Sequence, residues 1–160
     1  QRPESRGSVH IRSADPFAAP RINHNYLDTE TDRQVTIAGM RLARRLLAAP
    51  PLQPYYDVEE FPGPAVQSDD EFLEAAKYKG NSTFHPACSC AMGPEHNPRA
   101  VVNAALQVHG LEGIRVVDAS IMPSMISGNL NAVAQMIGDK AADLILALEP
   151  LRAPRMQKAS

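Results

Sequence analysis

The sequence of 160 residues has nine glycines but no G-x-G-x-x-G turn. That turn brings backbone amides to the pyrophosphate of a dinucleotide, so the sequence lacks the main nucleotide-binding part of a dinucleotide enzyme. No apolar run is long enough to span a bilayer, and we therefore expect no transmembrane helix. The net charge of −2 gives no indication of a nucleic-acid partner.

Cysteine is also scarce, because Cys88 and Cys90 are the only two and one residue separates them. Residues at positions i and i+2 of an extended segment rarely meet the geometry of a disulfide. No set of ligands with the spacing of a zinc site accompanies them, so we predict two small buried thiols and no metal. Reduced thiols favour a cytoplasmic location, and peripheral membrane association stays open as an alternative.

The composition predicts a folded chain, since hydrophobic residues make up 44% and charged residues 21%. The longest helical pattern covers residues 28–49, with Asp28 or Thr29 as its capping residue and two prolines directly after it. Four positions with helical spacing form the centre of its apolar face. They are Val35, Gly39, Leu42 and Leu46, and the face is widened by Ile37, Met40 and Leu47.

Two further helices and three strands are predicted. Ser68 and Glu71 have the spacing of a capping box, which indicates a helix to about residue 79. Residues 131–148 are apolar around most of the helical circumference, so we expect that helix to be buried. Alternating or β-branched residues predict strands at 8–13, 106–108 and 114–117.

His85 is the first candidate for chemistry. It precedes a proline and a run of small residues, Ala87-Cys88-Ser89-Cys90-Ala91-Met92-Gly93. A stiff backbone and few polar neighbours suit a general base, whose ring must be aimed and whose pKa must lie near the working pH. A lone histidine is nevertheless more often structural. A second segment favours the catalytic interpretation: Val116-Val117-Asp118-Ala119-Ser120-Ile121-Met122-Pro123, followed by Gly128-Asn129-Leu130-Asn131.

Together these segments resemble the carboxy-terminal part of the glucose–methanol–choline (GMC) family of FAD-dependent oxidoreductases. The resemblance is strongest to choline dehydrogenase-like and alcohol dehydrogenase-like members, and it runs from about Arg6 to Leu148. It implies an α+β fold in which residues 1–80 are part of a substrate-binding domain with an antiparallel sheet and helices. Residues 81–150 would carry the active-site segment and complete the α/β FAD-binding domain, and residues 151–160 would be a tail.

The resemblance also implies roles for individual residues. His85 matches the family's base, and Asn131 matches a second active-site position that binds the substrate oxygen. Asn131 also has the alternative of a helix N-cap, and Asn129 is a second capping candidate that we rank lower for catalysis. Asp118, Ala119, Asn131 and Ala132 match residues near the flavin. For Asp118, a turn carboxylate after a strand is an equally good interpretation.

The implied reaction is oxidation of a primary alcohol, choline-like or other, to the aldehyde by proton abstraction and hydride transfer to FAD. The implied partners are a small alcohol and the amino-terminal half of the same enzyme, which holds most of the FAD site. Two alternatives remain: a flavin-containing lyase of the same family, and a fragment that is inert without its amino-terminal half. The run Asn103-Ala104-Ala105-Leu106-Gln107 departs from the family's usual aspartate, proline and arginine.

Overall fold

The computed structural model describes residues 2–147, which divide into two compact units, residues 2–84 and residues 85–147. The predicted tail at 151–160 and the predicted end of the last helix at residue 148 lie outside the described residues. The described residues contain helices and one small antiparallel sheet. In that part of the chain, no helix has the length and hydropathy needed to cross a membrane.

The sheet of the first unit is a two-stranded ribbon. Strand β1 (Ser8–His10) pairs antiparallel with β2 (Arg21–Asn23), and Val9 lies opposite Ile22. The first strand is shorter than the predicted 8–13, and every residue of both strands is exposed. A ribbon with no apolar face against a core gains little from its own packing.

Helix α1 (Glu30–Leu47) begins where its capping residue predicts, since the Thr29 side chain accepts a hydrogen bond from the amide of Asp32. The Asp32 carboxylate in turn accepts from the amides of Glu4 and Ser5, at 2.9 and 2.8 Å. These bonds tie the segment before β1 to the first turn of α1. Burial raises the pKa of Asp32, but hydrogen bonds from the Ser5 side chain and from these two amides bring it below its usual value.

Helix α2 (Asp69–Lys79) begins with the predicted capping box of Ser68 and Glu71 and packs against α1. The ring of Phe72 is only 1% exposed, and the guanidinium carbons of Arg41 and Arg44 lie 4.9 and 4.8 Å from its centroid. The predicted apolar face of α1 is wrong in its centre. Ile37 is the buried residue of the helix, whereas Val35, Leu42 and Leu46 are exposed.

The second unit encloses a core of seven buried apolar residues. They are Val102, Leu106, Ile121, Met122, Leu130, Ile137 and Ala141. The strands predicted at 106–108 and 114–117 are wrong, because only isolated bridges form there, one of them between Gln107 and Arg115. Leu106, Gly110 and Gly113 all have positive φ, and this left-handed backbone interrupts regular pairing.

Helix α3 (Asn131–Leu146) closes the second unit. Its N-cap is Leu130 and no side chain caps it, so the expectation that Asn131 is the N-cap is wrong. The expectation that the helix is buried on most sides is also wrong for the described residues. Ile137 and Ala141 are buried, whereas Ile145 is 58% exposed. The helix is therefore covered along one face only.

Candidate active site

His85 makes one side-chain contact that brings distant parts of the second unit together. Its Nε2 lies 3.2 Å from Oδ1 of Asn129, which is 44 residues further along the chain. The imidazole is half-buried and the asparagine is exposed. A titratable nitrogen and a neutral amide thus lie one hydrogen bond apart, so one substrate oxygen can reach both groups.

The backbone around His85 is held by a short 3₁₀ turn at Ala119–Ile121. Three alternate amides after the histidine donate to three consecutive carbonyls of that turn. The bonds are Cys88 N to Ala119 O (3.3 Å), Cys90 N to Ser120 O (2.9 Å) and Met92 N to Ile121 O (2.7 Å). Cys88 also has φ of 70°, which turns the chain sharply three residues after the histidine.

Asn129 is positioned by the apolar residues on either side of its segment. Met122 follows the 3₁₀ turn and is 5% exposed, and Leu130 is equally buried directly after the asparagine. Both belong to the core of the second unit. The residues between them therefore form a loop anchored at its two ends, and Asn129 lies at the end that leads into α3.

Asn131, the residue predicted to pair with His85, is turned toward its own helix. Its Oδ1 accepts a hydrogen bond from Nε2 of Gln135 at 3.3 Å. The structure thus pairs His85 with Asn129 rather than with Asn131. The family resemblance assigns this position to Asn131 and leaves Asn129 as a capping candidate of lower rank. The signal that separates them is the helix register, which places Asn131 inside α3.

The other predicted site residues lie at two places of the same unit. Asp118 is exposed, and its Oδ1 accepts from the amide of Ser120 at 2.8 Å, while Ala119 is half-buried in the turn that follows. Ala132 is exposed in the first turn of α3. Asp118 thus bonds within its own turn, and its implied place near the flavin stays a prediction.

The start of α3 has the donors that an anionic ring system needs. The first amides of any helix have no acceptor inside the helix, and the positive end of its dipole lies there. The side chain of Ala132 is a single methyl group, so it leaves the backbone amides of this turn accessible. The first intrahelical bond runs from the amide of Ala134 to Leu130 O. These groups fit the ring of a bound flavin.

The described residues contain no cluster of three or more histidine, cysteine or acidic side chains able to hold a metal ion. Cys88 and Cys90 form no disulfide, and both are half-buried rather than buried as predicted. The His85–Asn129 contact joins an imidazole to a side-chain amide.

Comparison with known proteins identifies relatives that share this arrangement of segments. A sequence model of the GMC oxidoreductase family matches residues 3–138. The oxygen-dependent choline dehydrogenase of Staphylococcus haemolyticus is 45% identical over 148 residues, which are 92% of this chain and 26% of that protein. The chain therefore spans about a quarter of the length of the curated relatives it matches.

Solved structures agree with the sequence match. A fungal aryl-alcohol oxidase is 38% identical with a TM-score of 0.77, over 91% of this chain and 24% of that one. Pyridoxine 4-oxidase from Mesorbium loti is 30% identical with a TM-score of 0.84, over 93% of this chain and 29% of that one. The resemblance seen around His85 and Asp118 is confirmed, and the chain belongs to the GMC oxidoreductase family.

Proposed function

We propose that this chain supplies the proton acceptor and the oxygen-binding group of a flavin-dependent oxidoreductase that oxidises a primary alcohol to an aldehyde. The observation that carries the proposal is the 3.2 Å contact between His85 Nε2 and the Asn129 side chain. Since the chain spans about a quarter of its relatives, the activity belongs to a longer polypeptide that contains it. We call that polypeptide the full-length enzyme.

An alcohol is a very weak acid, so its oxidation needs a base for the hydroxyl proton and a group that stabilises the developing alkoxide. His85 Nε2 accepts the proton when the neutral ring carries its hydrogen on Nδ1. Asn129 then donates from its amide nitrogen to the substrate oxygen. For this the carboxamide rotates by half a turn, because in the structure its Oδ1 faces His85. An amide does not titrate near neutral pH, which leaves His85 as the base.

Bound FAD supplies the acceptor for the hydride that leaves the carbinol carbon. On the side of this chain, the open amides at the start of α3 would hold the flavin ring through hydrogen bonds. Asn131 and Ala132 contribute to that role through their backbone, and Asp118 and Ala119 lie in the turn that supports the site. The alcohol loses one proton to His85 and one hydride, and it leaves as the aldehyde.

The substrate is a small molecule with a primary hydroxyl. Support comes from relatives whose names refer to choline, an aryl alcohol and pyridoxine, all of which bear such a group. These three differ in charge and in aromatic character, so the shared feature is the reacting group itself. A series of primary alcohols, tested against the secondary alcohol of matching size, would establish the class. Faster reduction by the secondary alcohols would contradict it.

The direct test is anaerobic bleaching of the flavin by a primary alcohol in the full-length enzyme. We expect His85→Ala to slow bleaching by about 10²- to 10⁴-fold, the usual contribution of a general base. Asn129→Ala should slow it by about tenfold or more, because it removes one hydrogen bond to the developing alkoxide. Asn131→Ala should change it little, since that side chain bonds within its own helix.

The matched control is His96→Ala, which removes an exposed histidine of the same unit. It should bleach at the wild-type rate. Equal loss in the His96 and His85 variants would contradict a specific role for His85. A larger loss in the Asn131 variant than in the Asn129 variant would return the oxygen-binding role to Asn131. Product formation without any bleaching would favour the lyase alternative.

A further inference from the structure

The 3₁₀ turn at Ala119–Ile121 joins both halves of the candidate site. On one side, its three carbonyls accept the amides of the segment that carries His85. On the other side, the chain continues from the turn through buried Met122 into the loop that ends at Asn129. The geometry of this turn therefore affects the positions of both members of the His85–Asn129 pair.

Asp118 sets the geometry of that turn. It lies directly before the turn with an extended backbone, and its Oδ1 accepts from the Ser120 amide at 2.8 Å. Its carbonyl also accepts from the amide of Ile121 at 3.2 Å. The side chain thus satisfies an amide that the 3₁₀ turn itself leaves without a partner. The Ser120 carbonyl also accepts a hydrogen bond from the Cys90 amide. The cap therefore acts on a residue that is bonded to the segment carrying His85.

We propose that Asp118 is a positioning residue for the His85–Asn129 pair: its side chain caps the turn that fixes the backbone on both sides of the pair. The inference rests on the proposed function, because it assigns the capping bond a role in the same reaction. It differs from the cofactor-binding role that sequence resemblance implies for this carboxylate. A cap needs an acceptor oxygen, whereas a charged contact with a cofactor needs the negative charge.

Two substitutions separate these roles. Asp118→Asn keeps an acceptor oxygen at the same distance along the side chain and removes the charge. Asp118→Ala removes both. If Asp118 positions the pair, the rate at which the alcohol reduces the flavin in Asp118→Asn should be within about twofold of the wild-type rate. The alanine variant should lose about tenfold or more in kcat with little change in KM, because displaced catalytic groups act on the transition state.

A second readout does not depend on activity. Amide hydrogen exchange of the full-length enzyme, followed by mass spectrometry, should quicken in Asp118→Ala in peptides that cover residues 85–93 and 119–130. Exchange there should stay slow in Asp118→Asn. Ser68→Ala is the matched control, because it also removes a capping oxygen but in a helix of the other unit. Its exchange should quicken at α2 only, with kcat unchanged.

Several results would overturn the inference. Equal loss of flavin or of kcat in the asparagine and alanine variants would assign the role to the charge. Unchanged exchange at residues 85–93 in the alanine variant would show that the cap does not hold the His85 segment. A wild-type enzyme that never bleaches, but shows the expected exchange pattern, would contradict the proposed reaction and leave the coupling between Asp118 and the pair in place.

Discussion

Phe72 is the residue on which the helices of the first unit depend most. Its ring is 1% exposed, and the guanidinium groups of Arg41 and Arg44 both lie over it. We expect Phe72→Ala to lower the free energy of unfolding by about 3–5 kcal/mol, from lost burial, a residual cavity and lost cation–π contacts. Urea unfolding of the chain measures this change. Phe17→Ala is the control because Phe17 is 94% exposed, and a loss there comparable to that at Phe72 would contradict the assignment.

The two asparagines before and inside α3 show what residue-level sequence reasoning can resolve. The sequence predicted a base at His85 and an asparagine near the start of a helix, and the structure brings such a pair together. It predicted Asn131, whereas the structure places Asn129 beside His85. The N-cap of α3 is Leu130 rather than an asparagine, which places Asn131 inside the helix. Leu130 is buried in the core, so core packing determines the residue at which the helix begins. Long-range packing of this kind leaves no local sequence signal.

At the scale of elements, the ion pair of Arg44 and Glu59 fixes α1 to the loop after it. The Arg44 side chain donates to both Glu59 oxygens, at 2.6 and 2.8 Å, and to the carbonyls of Gly63 and Val66. The hydrogen bonds from Arg44 lower the pKa of Glu59 below its usual value. Both side chains are largely shielded from solvent, with 24% and 13% exposed, so screening weakens the pair only in part.

The lowered pKa of Glu59 determines how this pair responds to acid. The unfolded chain binds the proton more tightly, so the stabilisation is present above about pH 4.3 and is lost as the pH falls through the folded pKa. Glu59→Gln should lower stability by about 1–2 kcal/mol at pH 7 and flatten the acid limb of the stability profile. Urea midpoints from pH 7 to 3 measure both effects. Glu60→Gln, at the exposed neighbouring position, should reproduce neither of them.

The starts of α1 and α2 were predictable and the strands at 106–108 and 114–117 were not, for a physical reason. The caps at Thr29 and Ser68 act within three residues, so the sequence window contains the whole interaction. The pattern at residues 106–117 is apolar enough for strands, but Leu106 and two glycines adopt positive φ there. Single bridges and turns then satisfy the backbone in place of a ladder. Only the three-dimensional path of residues 91–116 shows that bridges and turns replace the predicted strands.

At the scale of the whole molecule, the chain exposes apolar surface that a longer polypeptide can cover. Val9 and Ile22 of the ribbon are each more than half exposed, and so are Met136 and Ile145 on α3. Val9 and Ile22 are cross-strand neighbours, and exposed apolar side chains that lie together often mark a contact with another chain or segment. The relatives are about four times as long as the aligned segment, so a longer polypeptide of that kind has further segments that can pack on this surface. We expect the segment that packs there to include the part that holds most of the FAD.

A charge placed on the open face of α3 tests this expectation. In the chain alone, Ile145→Glu should change stability by less than about 0.5 kcal/mol, because the side chain is already 58% exposed. In the full-length enzyme it should reduce the flavin retained on purification, since burying an unpaired carboxylate is costly. Ile137→Glu, at a position only 5% exposed, should destabilise both forms. Full flavin content in the Ile145 variant would mean that this face stays open to solvent in the complete protein.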